Sequence, residues 1–405
     1  MSFLKKWAGG ADLPKDLNLL LIIGGLYALS GALSNTFVNV YLWKQSGRFI
    51  DLGIYNLSVV ILQVFTFILA GRWAKKMDRT IVLRMGVIFL ALFYLTVLIV
   101  GEHATSFLFL LGGVLGIGYG FYWLAFNVLT FEITEPHTRD FFNGFMGILG
   151  SAGGMIGPIM AGLIISRFDK YFGYTIVFGL SLTLFTIAVI LSFYLKRRPA
   201  HGNYLFLRVI KERQNNFNWK LVTNAHFFQG LREGTFAFVI SIFVFITTGS
   251  ELALGTYGLV NSGISFLAYF LVSRYIKKNN RKRAILIGGI GLYLSIMLLV
   301  FDLSYLKLLM YASLIAICYP LLLVPFISTS YDVIGSGWKA EEMRIEYVVV
   351  KELFLNGGRM ISLLAFIGSV YIFGVDRSLP YLLLILGAGH TCIYFFIRKV
   401  NIKAR

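Results

Sequence analysis

"GRWAKKMDRTIVLRMG", residues 71–86, holds five positive charges and one negative between two strongly apolar runs. Residues 273–288, "SRYIKKNNRKRAILIG", hold six positive charges in the same setting. Their surroundings match as well. "LGIYNL" begins at Leu52 and "LGTYGL" at Leu254, an offset of 254 − 52 = 202 that Gly86 and Gly288 repeat. Farther along, Tyr119 and Tyr319, Phe126 and Phe326, and Glu132 and Asp332 recur at an offset of 200. A charged loop, the run before it and a run after it recur in order, which describes two copies of one unit.

The composition decides what kind of unit. With 58% hydrophobic and only 14% charged residues over 405 positions, the chain lacks the polar surface of a water-soluble protein. A helix crossing a bilayer needs roughly 20 mostly apolar residues. Twelve such runs follow one another, at 18–43, 52–74, 81–101, 106–131, 142–166, 174–195, 220–246, 252–273, 284–302, 305–330, 344–370 and 379–397. The predicted fold is an all-α membrane protein of twelve transmembrane helices in two pseudo-symmetric six-helix halves, 1–195 and 220–405. The basic stretch 196–219 joins them as a linker, and its "LFLRVIKE" core is expected to form an interfacial helix. The first run is long and has no small-residue cleavage site after it, so it reads as a retained helix.

The net charge of +18 follows from topology. If both termini and the linker are cytoplasmic, 28 of the 37 Lys and Arg residues fall on that side. The expected place is therefore the cell membrane, as a multi-pass protein whose basic loops anchor it against the lipid bilayer; a nucleic-acid partner is not indicated. Cys318 and Cys392 lie inside apolar runs, far from any Cys-x-x-Cys spacing. There is no His-Glu-x-x-His, no Cys/His metal cluster, no phosphate-binding glycine loop and no nucleophile paired with a base. These absences argue against an enzyme, a bound metal or a cofactor. Nothing in the sequence specifies an oligomeric state.

Twelve spans, duplicated halves, a long basic middle loop and a charged loop after the second span resemble the major facilitator superfamily over nearly the whole chain. The family's loop signature runs Gly-x-x-x-Asp-Arg-x-Gly-Arg-Arg-x5-Gly; Gly71, Lys76, Arg79 and Gly86 fit its frame, while Lys75 stands where Asp is expected. In the family that Asp latches the halves together, so the resemblance implies a latch that is altered here or borrowed from Asp78. The fifth span, "GFMGILGSAGGMIGPIMAG", is similar to the family's antiporter motif through Gly144, Gly153, Gly157, Pro158 and Gly162, with Ala161 as its one departure. Small residues on one face also serve close helix packing. Exporters of this type often carry an Arg in the fourth span, where this chain has Gly112.

Charge inside a membrane span costs about 2.5–3.5 kcal/mol on insertion scales, so such residues face a cavity or a partner. Two spans hold nearly all of them. "NAHFFQGLREGTFAF" in the seventh gives His226, Gln229, Arg232 and Glu233, and "EYVVVKELFLNGGRM" in the eleventh gives Glu346, Lys351, Glu352, Asn356 and Arg359. At 3.6 residues per turn, Glu352, Asn356 and Arg359 share one stripe, as do His226, Gln229 and Glu233. Counting residues from the span ends places Arg232 and Glu352 near mid-membrane, where they are expected to meet. The resemblance implies that the first, fourth, seventh and tenth spans line a cavity. Tyr27, Ser34, Asn35 and Asn39 form a polar face of the first; Tyr119, Tyr122, Trp123, Phe126 and Asn127 form an aromatic face of the fourth.

The function expected is secondary transport of a small molecule by alternating access, coupled to protons. Glu352, Glu233 and His226 are the candidate proton carriers, because desolvation brings a carboxyl towards neutrality whereas Arg keeps its charge. Arg232, Arg359 and Lys351 would organise those carboxylates or an anionic substrate group. A fixed ion-pair lock between the two spans is the alternative use of the same charges. Export of an amphipathic compound by proton antiport is the leading expectation. Symport of a small anionic or sugar-like solute, a lipid flippase and a transporter-derived receptor are the alternatives.

Overall fold

The structure, a computed structural model, describes residues 14–133, 136–168, 171–197 and 202–401. Side chains at 131, 136–141, 143 and 144 lie outside the described set. Among the described residues there are helices and no strands. The first half comprises Lys15–Ser46, Phe49–Lys76, Arg79–Val100, Leu108–Ile133, Pro136–Arg167 and Phe172–Ser192. The second comprises Phe217–Thr248, Glu251–Tyr275, Arg281–Leu294 continued by Met297–Val300, Tyr305–Gly335, Arg344–Phe373, and Val375–Gly387 continued by Gly389–Ile397. Among the described residues, eleven segments are long and apolar enough to cross a membrane. One of them, Arg79–Thr130, doubles back through Gly101–Phe107 and so supplies both the third and the fourth span, with Gly86 against Tyr122 and Gly118 against Leu90.

Local chemistry sets the ends. Asp78, Asn216, Ser250 and Ser304 accept backbone N–H groups at the starts of the third, seventh, eighth and tenth spans. The first and seventh spans stop at Gly47 and Gly249, whose φ angles of +62° and +63° only glycine adopts without strain. Those two glycines are again 249 − 47 = 202 apart. The linker forms the helix Phe206–Asn215.

Helix packing repeats between the halves. In the first half the first span packs on the fifth and sixth, the second on the fourth, and the third on the fourth and sixth; in the second half the seventh, eighth and ninth spans pack on the corresponding partners. The halves join where the second span meets the eleventh and the fifth meets the eighth, two contacts related by the same repeat. Matching residues make matching contacts. A side chain on Gly86 would overlap the Tyr122 backbone, and one on Gly288 would lie 2.7 Å from the Leu322 nitrogen. Arg79 pairs with Glu132 and Arg281 with Asp332, each at 2.7 Å.

Candidate functional site

A cavity of about 770 Å³ lies between the halves. The first, second, fourth and fifth spans line it from one side and the seventh, eighth, tenth and eleventh from the other. Of the residues singled out in the sequence, Asn35, Asn39, Tyr119, Trp123, Pro158, Arg232, Glu233 and Arg359 are on its wall. Tyr27, Asn127, Gln229, Asn356, His226, Lys351 and Glu352 are not. Tyr27 is used in packing: its ring stacks on Tyr122 at 4.2 Å and meets Trp123 edge-on at 5.1 Å.

The charged cluster is built by the close approach of the seventh and eleventh spans. A Cβ on Gly230 would overlap the Leu355 carbonyl oxygen, and one on Gly358 would overlap that of Phe227. Only hydrogen at these positions lets the two backbones come this near. This contact sets the register, with Gly234 beside Arg359 and Thr235 bonded to Ser362. Glu233 therefore lies level with Arg359. Its Oε2 accepts from Arg359 Nε at 3.1 Å and from a terminal nitrogen at 2.5 Å, while Oε1 accepts from Gln229 at 2.7 Å and from the Tyr319 hydroxyl at 3.3 Å. Gln229 also faces His226, whose Nδ1 is 2.9 Å from the Gln229 carbonyl oxygen and whose Nε2 is 3.1 Å from Ser330. With the Gln229 amide donating to Glu233, the imidazole hydrogen sits on Nδ1. The third donor group of Arg359 reaches Asn356 at 3.1 Å.

The expected meeting of Arg232 and Glu352 does not occur. Glu352 pairs with its neighbour Lys351 at 2.9 Å. The register explains this: Gly230 faces Leu355 and Gly234 faces Arg359, so Glu352 is level with Phe227, about five residues or roughly 8 Å nearer the linker than Arg232. Arg232 instead donates to the Tyr311 hydroxyl at 3.2 Å and lies over the Phe236 ring at 4.5 Å. It is 6% exposed, its Nε has no hydrogen-bond partner, and among the described residues it forms no ion pair. The cavity thus holds one neutralised guanidinium, Arg359, and one without a carboxylate, Arg232.

Opposite these charges the wall is amide-rich. Asn56 donates to Asn39 at 2.9 Å, and the Asn35 carbonyl accepts from Tyr94 at 3.1 Å. Tyr55, Asn56 and Gln63 of the second span and Tyr257, Asn261, Ser262 and Ser265 of the eighth also line the cavity, and none of these was singled out in the sequence. The signal for them was the repeat itself. Tyr55 and Tyr257, Val59 and Asn261, and Gln63 and Ser265 are each 202 apart, so both copies present the same helix face. The eighth span is also the least apolar of the membrane segments.

Of the two latches the resemblance implied, altered or borrowed from Asp78, the contact between the halves here does not run through Asp78. Asp78 is buried and accepts from the Thr80 nitrogen and hydroxyl, both at 2.8 Å, so it caps its own helix. The contact between halves is made by Lys75, which pairs with Glu346 at 3.2 Å and donates to the Glu342 carbonyl oxygen. Glu346 also accepts the Leu205 N–H of the linker at 3.3 Å. Gly71 leaves room for Tyr204 and Val349. Burial, with Glu346 close by, pushes the Tyr204 phenol pKa up. At the other end of the halves Lys44 pairs with Glu251 at 2.8 Å, and Tyr174 donates to the same oxygen at 2.9 Å. In the fifth span, Gly153 and Gly157 pack on Ala28 and Ala32, and Gly162 packs on Glu251 and Leu252; the surroundings of Gly144 lie outside the described set.

Two six-helix halves around a central cavity with buried charge define a membrane transporter. The chain belongs to the Major Facilitator Superfamily, whose family model matches residues 20–342. It is 60% identical over its whole length to uncharacterized protein YqgE of Bacillus subtilis (strain 168), covering 94% of that protein. A Geobacillus stearothermophilus protein described as lying in the sodM 3' region is 63% identical over 178 residues, 44% of this chain and 83% of that one. Among solved structures, the human organic anion transporter MFSD10 (TETRAN) superposes with a TM-score of 0.68 at 13% identity, covering 95% of this chain and 100% of that chain. The nucleoside transporter NupG superposes at 0.72 and 16% identity, covering 96% and 100%. At these identities the two structures share the fold with this chain.

Proposed function

We propose that the chain carries a small, hydrogen-bonding organic anion together with a proton, with Arg232 receiving the anionic group and Glu233 the proton. The observation that carries this reading is Arg232, a buried guanidinium on the cavity wall with no carboxylate partner among the described residues. A charge left in this condition is costly, and an anion entering the cavity relieves that cost. Asn35, Asn56, Gln63, Asn261 and Ser262 supply hydrogen bonds for the rest of the solute.

The Glu233 and Arg359 pair supports coupling of a particular sign. A proton on Glu233 leaves Arg359 without its carboxylate, so the cavity offers a second guanidinium to the anion received by Arg232, and repulsion between that anion and the Glu233 carboxylate in turn favours the proton. Each binding event favours the other, so proton and anion travel together. A cationic substrate would compete with the proton and give exchange. For this reason we advance anion symport over antiport of an amphipathic compound; of the glycines that suggested export, Gly153, Gly157 and Gly162 are used in packing on the first and eighth spans. We place the linker in the cytoplasm on the distribution of basic residues. Asn203→Cys should then resist impermeant thiol reagents in intact cells, and labelling without permeabilisation would reverse that orientation.

The test is thermal stabilisation of the purified protein at pH 6 and pH 8 by lactate, gluconate and glucuronate, set against glucose and choline. The carboxylates should stabilise more at pH 6, and Arg232→Gln and Arg232→Lys should weaken the effect in that order. Stabilisation by choline alone, or by glucose as well as by gluconate, would remove the anion from the proposal.

A further inference from the structure

We propose that the groove between the linker-side end of the second span and the linker is a binding site for an anionic glycerophospholipid. The groove has a volume of about 730 Å³ and is lined by Phe65, Ile68, Leu69, Arg72 and Lys76 of the span and by Asn203–Arg208 of the linker. Among its lining residues are three cations, Arg72, Lys76 and Arg208, and no acid. Arg72 and Lys76 stand one helical turn apart, and Arg208 belongs to the other wall, its guanidinium 5.3 Å from the centre of the Trp338 ring.

The residues are arranged by depth as a phospholipid is. Phe65, Ile68 and Leu69 lie about two to three turns deeper in the span than Lys76, and Phe65 to Lys76 covers 11 residues, or roughly 16 Å. Cations therefore sit at the level of a phosphodiester and apolar side chains at the level of the first acyl carbons. Phe65 and Leu207 are 66% and 68% exposed, large apolar surfaces that a soluble phosphate compound would leave uncovered. The chemistry shared by a lipid headgroup and a free phosphate ester is the anion; the exposed phenyl and leucyl groups select the lipid.

The repeat supplies an internal comparison. Arg274 and Lys278 stand 202 residues after Arg72 and Lys76, at the same end of the eighth span, and both are exposed. They match the charge and depth of the pair in the groove, but the linker residues that form its second wall lie at the second span. A basic end alone would attract anionic lipid equally at both places. A groove with a second wall predicts that only the first retains it.

The site also touches the contact between the halves. Tyr204 lines the groove and packs on Gly71, and Leu205, another lining residue, donates its N–H to Glu346, the partner of Lys75. A lipid seated there holds the linker against the second span beside that pair.

The test uses the full chain with Leu207→p-benzoylphenylalanine, reconstituted in vesicles of phosphatidylcholine with 20% phosphatidylglycerol, and reads photo-crosslinked lipid by mass. Phosphatidylglycerol should be captured well above its share of the bilayer. Arg72→Gln with Lys76→Gln should remove most of the enrichment and Arg208→Gln alone should lower it severalfold, while Arg274→Gln with Lys278→Gln leaves it unchanged. With each cation contributing about one kcal/mol near an anionic surface, loss of all three lowers affinity roughly a hundredfold. Capture of the two lipids in proportion to their shares of the bilayer, or equal loss from both double variants, would refute the site. Displacement of the lipid by millimolar glycerol 3-phosphate or inorganic phosphate would convert it to a free-anion site and overturn the proposal.

Discussion

Glu233 is held by Arg359, Gln229 and Tyr319 on the cavity wall, whereas Glu352 is held by Lys351 away from it. Two carboxyls in the same pair of helices are thus assigned different work. Glu233→Gln keeps the shape of the side chain and removes its titration, so uphill transport driven by a pH gradient should fail while substrate counterflow survives. Glu352→Gln should retain uphill transport in the same proteoliposomes; the reverse pattern would move the proton to Glu352. The ion pair itself predicts a double-mutant result: Arg359→Gln should lower stability by about 1.5–3 kcal/mol, the range for hydrogen bonds to charged groups, and adding Glu233→Gln should recover part of that loss. Arg232→Leu and Glu352→Leu should simply add. The stripes on each helix were legible in the sequence, because positions 352, 356 and 359 share a face by spacing alone. The pairing between helices was not legible. It depends on how far one helix is slid along the other, and that is fixed by Gly230 and Gly358 meeting backbone carbonyls across the contact.

At the scale of helices, glycine carries two meanings that composition cannot separate. A Cβ on Gly230 would overlap a backbone oxygen of the eleventh span, which no rotamer change relieves, whereas a Cβ on Gly179 would meet nothing within 4 Å. Gly230→Ala should therefore cost about 1–3 kcal/mol through overpacking and move Glu233 off its register with Arg359. Gly179→Ala should be neutral or stabilising by up to about 1 kcal/mol, since Ala is the better helix former. Unfolding temperatures in one detergent decide the matter, and equal shifts for the two variants would remove the close-packing account. The fifth-span glycines stood out in the sequence because their spacing matched a family motif. Gly230, Gly234 and Gly358 did not, because an isolated glycine in a span reads the same whether it faces lipid or another backbone.

Over the whole molecule, duplication laid out the cavity and divergence gave it chemistry. Tyr55 and Tyr257, or Tyr119 and Tyr319, occupy equivalent walls, but the places 202 residues before Arg232 and Glu233 are Ser30 and Gly31, so the buried charge belongs to one half. The two halves are tied at opposite ends by Lys75 with Glu346 beside the linker and by Lys44 with Glu251 at the far end. Rocking about the cavity cannot keep both ties at full strength in every state, because opening either end separates the residues there. Lys75→Gln should accordingly favour the state open on the linker side, and Lys44→Gln the state open on the far side. A tie worth 1–2 kcal/mol shifts such an equilibrium by roughly 5–30-fold. A cysteine at Ser262, on the cavity wall, reports this through its labelling rate by an impermeant thiol reagent applied from each side. Exchanging the charges, with Lys75→Glu and Glu346→Lys together, should return the linker-side rate towards that of the parent. Labelling that changes in the same direction for Lys75→Gln and Lys44→Gln would show that these pairs stabilise the fold without opposing one another across the cavity.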